Sequence, residues 1–151
     1  MKIVVIIPAR YNSSRFKGKP LIQLNKKPMI QWVAELSAKA VGIENVFIAT
    51  ESRKIAKKVT AIGYNVVLTS KDCPTGTDRL AEVANKIKAD IYINVQGDEP
   101  LLEPNDIKKI IQAKIKYPED IINGYTEIKK NEDPFSLNIP KVIFTNDKRM
   151  I

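Results

Sequence analysis

The chain has 151 residues, 44% of them hydrophobic and 28% charged, with a formal net charge of +8 and a pI near 9.5. That is enough chain for one domain, residues 1–151, with a sizeable core and the composition of an ordinary soluble protein. Histidine is absent and Cys73 is the one cysteine, which excludes Ser-His triads, histidine-ligated metals and an internal disulfide, and fits a reducing compartment. The lysines are spread along predicted helix faces, such as Lys54, Lys57 and Lys58, so most of the charge reads as solvated surface. Few aromatics interleave with them, which leaves nucleic-acid binding a minority reading. No stretch approaches the ~18 to 20 apolar residues of a membrane span. The first apolar run is also too short for a signal peptide. A cytoplasmic protein with neither membrane nor nucleic-acid partner is the expectation.

Residues 3–7 are apolar, short and rich in β-branched side chains, the pattern of a strand buried on both faces of a parallel sheet. Pro8 ends the run, because it has no N–H for a ladder. The following loop carries Arg10, Arg15, Lys17 and Lys19 among Ser13, Ser14 and Gly18. Cations at the carboxyl end of a first strand lie where open α/β sheets bind ligands, and they suit an anion with several oxygens. A Walker loop is excluded, since Pro20 follows Gly18-Lys19 and Ser13 holds the earlier glycine position; the G-x-G-x-x-G fingerprint is also missing. Any nucleotide here is held by side-chain cations more than by a glycine nest.

Asn25-Lys26-Lys27 reads as a polar turn, with Pro28 at the first position of a helix that Gly42 closes. Residues 46–50 form a second strand, residues 53–62 a helix capped by Gly63, and residues 66–68 a third strand. Pro74-Thr75-Gly76-Thr77 forms a loop into the next helix. Its hydroxyls and amides could read a base or ribose, and equally it could be a plain turn with Thr77 as N-cap and Asp78 in the first turn. Arg79 could reach the rim, although a surface arginine is the commoner outcome. Cys73 is expected to have no catalytic role.

Residues 91–95 make a fourth strand that runs into Gln96-Gly97-Asp98-Glu99-Pro100, and residues 105–116 make a fourth helix. Four alternations of strand and helix argue for a three-layer α/β sandwich with a mostly parallel sheet. The end of the fourth strand shares a rim with the first loop. An acidic turn there is by itself most often only a helix start, but facing a cationic loop Asp98 suits Mg²⁺ shared with phosphate oxygens. Beyond the fourth helix, residues 121–128 and 140–145 read as strands, with a turn at Asn146-Asp147 and a returning strand starting at Met150. A half-made hairpin at the last residue leads to the expectation that the chain is the N-terminal part of a longer protein.

Three stretches together resemble the cytidylyltransferases that make CMP-activated acidic sugars. They are Ile6-Ile7-Pro8-Ala9-Arg10-Tyr11-Asn12-Ser13-Ser14-Arg15 with Gly18-Lys19-Pro20-Leu21, then Thr75-Gly76-Thr77-Asp78-Arg79-Leu80-Ala81-Glu82, then Asn94-Val95-Gln96-Gly97-Asp98-Glu99-Pro100-Leu101. The branch activating 3-deoxy-manno-octulosonate (Kdo) is the most similar, and the order and spacing hold over essentially the whole chain. The resemblance implies a Rossmann-like, glycosyltransferase-A-type nucleotidyltransferase fold, truncated at its C-terminus. It implies Mg²⁺-dependent transfer of CMP from CTP to an acidic small-molecule acceptor, with release of pyrophosphate, for lipopolysaccharide or capsule biosynthesis. Carried over residue by residue, Arg10, Lys19 and Asp98 would be catalytic, and Asp98 would bind the metal. Pro8, Ala9, Arg10, Arg15, Lys19, Thr75, Gly76 and Thr77 would hold the nucleotide, and Arg79 and Gln96 the acceptor. The longer protein would be a homodimer. The chain departs from the family in having Glu51 after Thr50 where aspartate is usual. Other acceptors, namely another 2-keto sugar acid or a phosphorylated amino acid such as phosphoglutamine, form one alternative reading. An inactive nucleotide-binding fragment forms another.

Overall fold

The first strand, β1 (Ile3–Pro8), buries Val4, Val5, Ile6 and Ile7 completely. Strand geometry points alternate side chains to opposite faces, so a run with no polar interruption needs cover on both. It has it: Val5 and Ile7 belong to one hydrophobic cluster and Val4 and Ile6 to another. Each such side chain contributes roughly 1.5–3 kcal/mol by leaving water. The structure, a computed structural model, describes residues 1–12, 16–137 and 139–150.

Beside β1 lie β4 (Val46–Thr50) and then β5 (Asn65–Leu68) on one side, and β6 (Ile91–Asn94) on the other. The order is β5-β4-β1-β6 and every pairing is parallel, with Val5 opposite Val46 and Ile93. Helices α1 (Met29–Val41), α2 (Arg53–Ala61) and α4 (Pro104–Lys116) cover one face through Ile30, Val33, Ile55, Val59 and Ile107. Helix α3 (Gly76–Lys86) covers the other through Val83, Leu80 and the residue after its end, Ile87. The expected three-layer α/β sandwich with a parallel sheet is present. No helix among the described residues is long and apolar enough to cross a membrane.

Chain direction across the sheet reverses at β1, where one path runs outward through β4 and β5 and the next returns to β6. The crevice beyond the carboxyl ends of β1 and β6 is therefore the topological switch point, where doubly wound sheets hold ligands.

Local departures from the sequence reading have identifiable causes. The polar turn is the tip of a small hairpin, β2 (Gln23–Leu24) and β3 (Lys27–Pro28), with Asn25 and Lys26 at φ 49° and 64°. A two-residue turn with both residues left-handed matches the twist of the flanking strands. Trp32 Nε1 donates to the Leu24 carbonyl at 2.9 Å, tying this hairpin to α1. Pro28 is the N-cap of α1 and not its first residue.

Residues 121–128 do not form a strand, and of the second hairpin only the Phe144–Met150 bridge forms. Its turn is present, with Thr145 N–H donating to Arg149 O and Lys148 N–H to Thr145 O, both at 2.9 Å. Residues of high strand propensity make a strand only where a neighbouring strand can complete the ladder. Here Lys114 Nζ instead donates to the carbonyls of Pro118 and Asp120 at 2.6 and 2.7 Å, turning the chain after α4.

Candidate functional site

Pro8 stands at the centre of the rim. A Cβ built on Gly97 would lie 2.8 Å from the Pro8 carbonyl oxygen, and one built on Gly76 would lie 3.1 Å from Pro8 Cγ. A side chain at position 97 would collide with that backbone oxygen and one at position 76 would crowd the Pro8 ring, so the two glycines let the loop after β6 and the start of α3 close on the end of β1. A cavity of about 310 Å³ opens there. Pro8, Ala9 and Arg10 line it from β1, Cys73, Pro74, Thr75, Gly76 and Arg79 from the start of α3, and Gln96 from the end of β6.

Lys19 and Asp98 meet beside one another, with Lys19 Nζ 2.5 Å from Asp98 Oδ2 and both side chains nearly half exposed, 41% and 47%. An exposed pair of this kind contributes little to stability. Its interest lies in leaving a cation and a carboxylate together at the rim, open to solvent. Thr77 is exposed on the first turn of α3 and does not line the cavity. Arg15 lies outside the described residues.

The approach to α3 is built as a cap. Thr75, not Thr77, is the N-cap: its side chain accepts from Asp78 N–H at 3.2 Å, and Asp78 Oδ2 accepts from Thr75 N–H at 3.0 Å. This reciprocal box satisfies two otherwise orphaned amides. The capping reading holds with Thr75 in place of Thr77, and Thr75 also lines the cavity. Behind it, Glu82 Oε2 accepts from Ser70 N–H at 2.8 Å, and Lys86 Nζ donates to Oε1 at 2.6 Å. The Lys86 hydrogen bond, then that of Ser70, holds the Glu82 carboxyl down at about 2. The Cys73 thiol is pushed above its usual range by burial first and by its hydrogen bond to Glu82 second, which keeps it protonated and unreactive near neutrality.

Arg79 is not a surface arginine. It is 3% exposed and lines the cavity from inside. Nη1 donates to Thr69 Oγ1 and, at 3.1 Å, to the Ser70 carbonyl, while Nη2 stands 3.2 Å from Glu51 Oε2. That last contact is off the hydrogen-bond direction, so Oε2 has no hydrogen bond among the described residues and the attraction is electrostatic. Glu51, whose side chain is 11% exposed, also accepts from Tyr11 N–H at 2.8 Å through Oε1. Removing one member of so buried a pair strands the other charge at a cost of about 3–5 kcal/mol.

Tyr11 is gripped elsewhere too. Its carbonyl accepts from Gly18 N–H at 2.7 Å, closing the base of the cationic loop, and Lys54 Nζ donates to its hydroxyl at 3.3 Å. Sequence reasoning did not single out Glu51 or Thr69 as parts of the site. Beside the departure from the family at Glu51, the available signal was position, since Glu51 directly follows β4 and Thr69 directly follows β5 on the same rim.

The sequence profile of the cytidylyltransferase family matches residues 4–151. This chain belongs to that family. A 3-deoxy-manno-octulosonate cytidylyltransferase of Geobacter metallireducens is 48% identical over 145 residues, covering 95% of this chain and 57% of the relative. An 8-amino-3,8-dideoxy-manno-octulosonate cytidylyltransferase of Shewanella sp. (strain ANA-3) is 41% identical over 155 aligned positions, covering 97% of this chain and 62% of the relative. Among solved structures, CMP:2-keto-3-deoxy-manno-octonic acid synthetase complexed with CTP superposes with a TM-score of 0.76 at 44% identity, over 79% of this chain and 49% of that one. The chain thus spans about half to three fifths of the length of these proteins.

Proposed function

We propose that residues 1–151 are the CTP-holding part of a cytidylyltransferase that transfers CMP to an acidic sugar, with Kdo as acceptor. The observation that carries this reading is the cavity at the switch point, lined by Arg10, Thr75, Gly76, Arg79 and Gln96, with Lys19 and Asp98 paired at the rim. The similarity to a synthetase complexed with CTP supports it.

In the proposed reaction an acceptor oxygen attacks the α-phosphorus of CTP in line. The new P–O bond forms as the bond to pyrophosphate breaks, and the proton of the acceptor hydroxyl passes to water. Arg10, Arg15 and Lys19 bind the triphosphate and stabilise the charge that accumulates on pyrophosphate. Thr75 and Gly76, with Pro8 and Ala9, hold the cytidine end, and Thr77 supports that loop from the helix. Gln96 and Arg79 face the acceptor's carboxylate side.

Asp98 offers one exposed, hard oxygen donor. Among the described residues no group of three or more His, Cys, Asp or Glu side chains forms a closed metal cage. That donor set fits Mg²⁺, which takes one or two carboxylates and completes its shell with phosphate oxygens and water. When bound, such an ion would neutralise phosphate charge and polarise the phosphorus. A triphosphate and a divalent cation together would give Lys19 and Asp98 better partners than each other.

The test is pyrophosphate release by the longer protein with CTP, Mg²⁺ and a panel of acceptors. The panel holds Kdo, 8-amino-3,8-dideoxy-manno-octulosonate, sialic-type acids and phosphorylated amino acids. Release with Kdo, reduced at least about a hundredfold by Asp98→Ala, is expected. Release with another acceptor alone would move the assignment to that acceptor. CTP binding without turnover would leave a binding module, and no CTP binding would sink the proposal. Light scattering on the same sample tests the homodimer, which exposed apolar side chains such as Phe135 and Leu137 support.

A further inference from the structure

We infer that Glu51 is a positioning residue that couples the two loops flanking the cavity, so that the phosphate end and the base end of a nucleotide are held in register. The inference rests on the CTP-binding reading above. The carboxylate stands at the end of β4 and reaches in two directions. Oε1 takes the Tyr11 amide at 2.8 Å, the residue after Arg10 at the mouth of the cationic loop. Oε2 holds Nη2 of Arg79, whose Nη1 binds Thr69 Oγ1 and Ser70 O at the root of the loop leading to Thr75 and Gly76. No other described side chain joins both loops in this way through hydrogen bonds or ion pairs. The pair is nearly dry, so the charge on Glu51 is poorly screened and cannot be replaced by water.

The two contacts have different chemistry, and this makes the coupling separable. An amide oxygen accepts from Tyr11 N–H as a carboxylate does, whereas a neutral amide cannot balance the Arg79 guanidinium. Glu51→Gln therefore keeps the cationic loop anchored and removes only its tie to Arg79 and, through Arg79, to the unit that carries residues 69–76. Glu51→Ala removes both ties.

The experiment is calorimetric titration of the 151-residue chain and both variants with CTP and, separately, with inorganic triphosphate, each with Mg²⁺. Inorganic triphosphate probes the cationic loop alone. Glu51→Gln is expected to weaken CTP by about tenfold while changing triphosphate by less than about twofold, and Glu51→Ala to weaken both. Equal losses for the two ligands in Glu51→Gln, or none, would overturn the coupling. A Glu51→Gln chain that does not fold would also overturn it, assigning the carboxylate to fold support. Failure of the unsubstituted chain to bind CTP would instead bring down the functional reading on which the inference stands.

Discussion

Gly97 sits where the rim is tightest. Its ideal Cβ would lie 2.8 Å from the Pro8 backbone oxygen and 3.4 Å from Ile30 Cδ1. A side-chain neighbour can rotate away, but a carbonyl at the end of a central strand paired on both sides cannot. Gly97→Ala must therefore push the loop after β6 outward, and Asp98 moves with it. The expected outcome is a folded chain, by circular dichroism, whose Mg²⁺-dependent gain in CTP affinity falls about tenfold. Titrations with and without Mg²⁺ read it, and an unchanged Mg²⁺ dependence would mean that Asp98 needs no such placement. Residues of this kind were legible in the sequence, because Gln96-Gly97-Asp98 carries its own motif. Glu51 was not, because its partners Tyr11 and Arg79 stand 40 and 28 positions away in the chain. The pairing of β4 beside β1 brings Tyr11 to it, and the packing of α3 on the sheet brings Arg79.

At the scale of elements, the loop from Thr69 to Thr75 and helix α3 act as one unit, stapled by Glu82. Its carboxyl lies at about 2 in the folded chain against an ordinary 4.5, so the contact stabilises the folded loop above pH 4.5. That contribution is lost as pH falls from about 4.5 towards 2. The Ser70 amide, which donates to Glu82 Oε2, reports the event directly. Its proton chemical shift is expected to titrate with a midpoint near 2, and the step should vanish in Glu82→Gln. A midpoint at 4.5 would show that the contact does not form. The Thr75 end of the unit has a separate test: Thr75→Ala removes the capping box and should cost about 1 kcal/mol in chemical denaturation. Periodicity revealed α3 and its neighbours because each lays an apolar stripe against a sheet whose central strand, β1, is apolar from Ile3 to Ile7. It misplaced the N-cap by two residues, since Thr75 and Thr77 are interchangeable by composition. It also failed over residues 121–128, where β-prone residues are present but no partner strand stands among the described residues.

For the whole molecule, the distribution of burial decides where stability resides. The two hydrophobic clusters draw on β1, β4, β5, β6 and all four helices, and their last members in the chain are Ile107, Ile110 and Ile111. From residue 117 onward no described residue is buried, and Ile121, Phe135 and Leu137 are 98%, 86% and 100% exposed. Such a segment contributes little transfer free energy and opens far more cheaply than the sheet. Of the tryptic sites inside it, Lys129, Lys130 and Lys141 stand on exposed, irregular backbone, while Lys148 and Arg149 lie on the turn that Thr145 closes. Lys54, Lys57 and Lys58 are exposed too, but they lie on α2, and cleavage there requires the helix to unwind from Ile55 and Val59. Limited trypsin digestion is therefore expected to cut first after Lys129, Lys130 or Lys141, leaving a resistant fragment that contains every strand of the sheet. Every described residue that lines the cavity or pairs beside it lies before residue 100. The fragment should accordingly bind CTP within about twofold of the intact chain, because the open segment and the closed sheet are independent units. Mass spectrometry of the first cuts and titration of the purified fragment give the two readings. Early cleavage within α2, or loss of CTP binding with the segment, would mean that residues 117–150 hold the sheet together through contacts their exposure does not reveal.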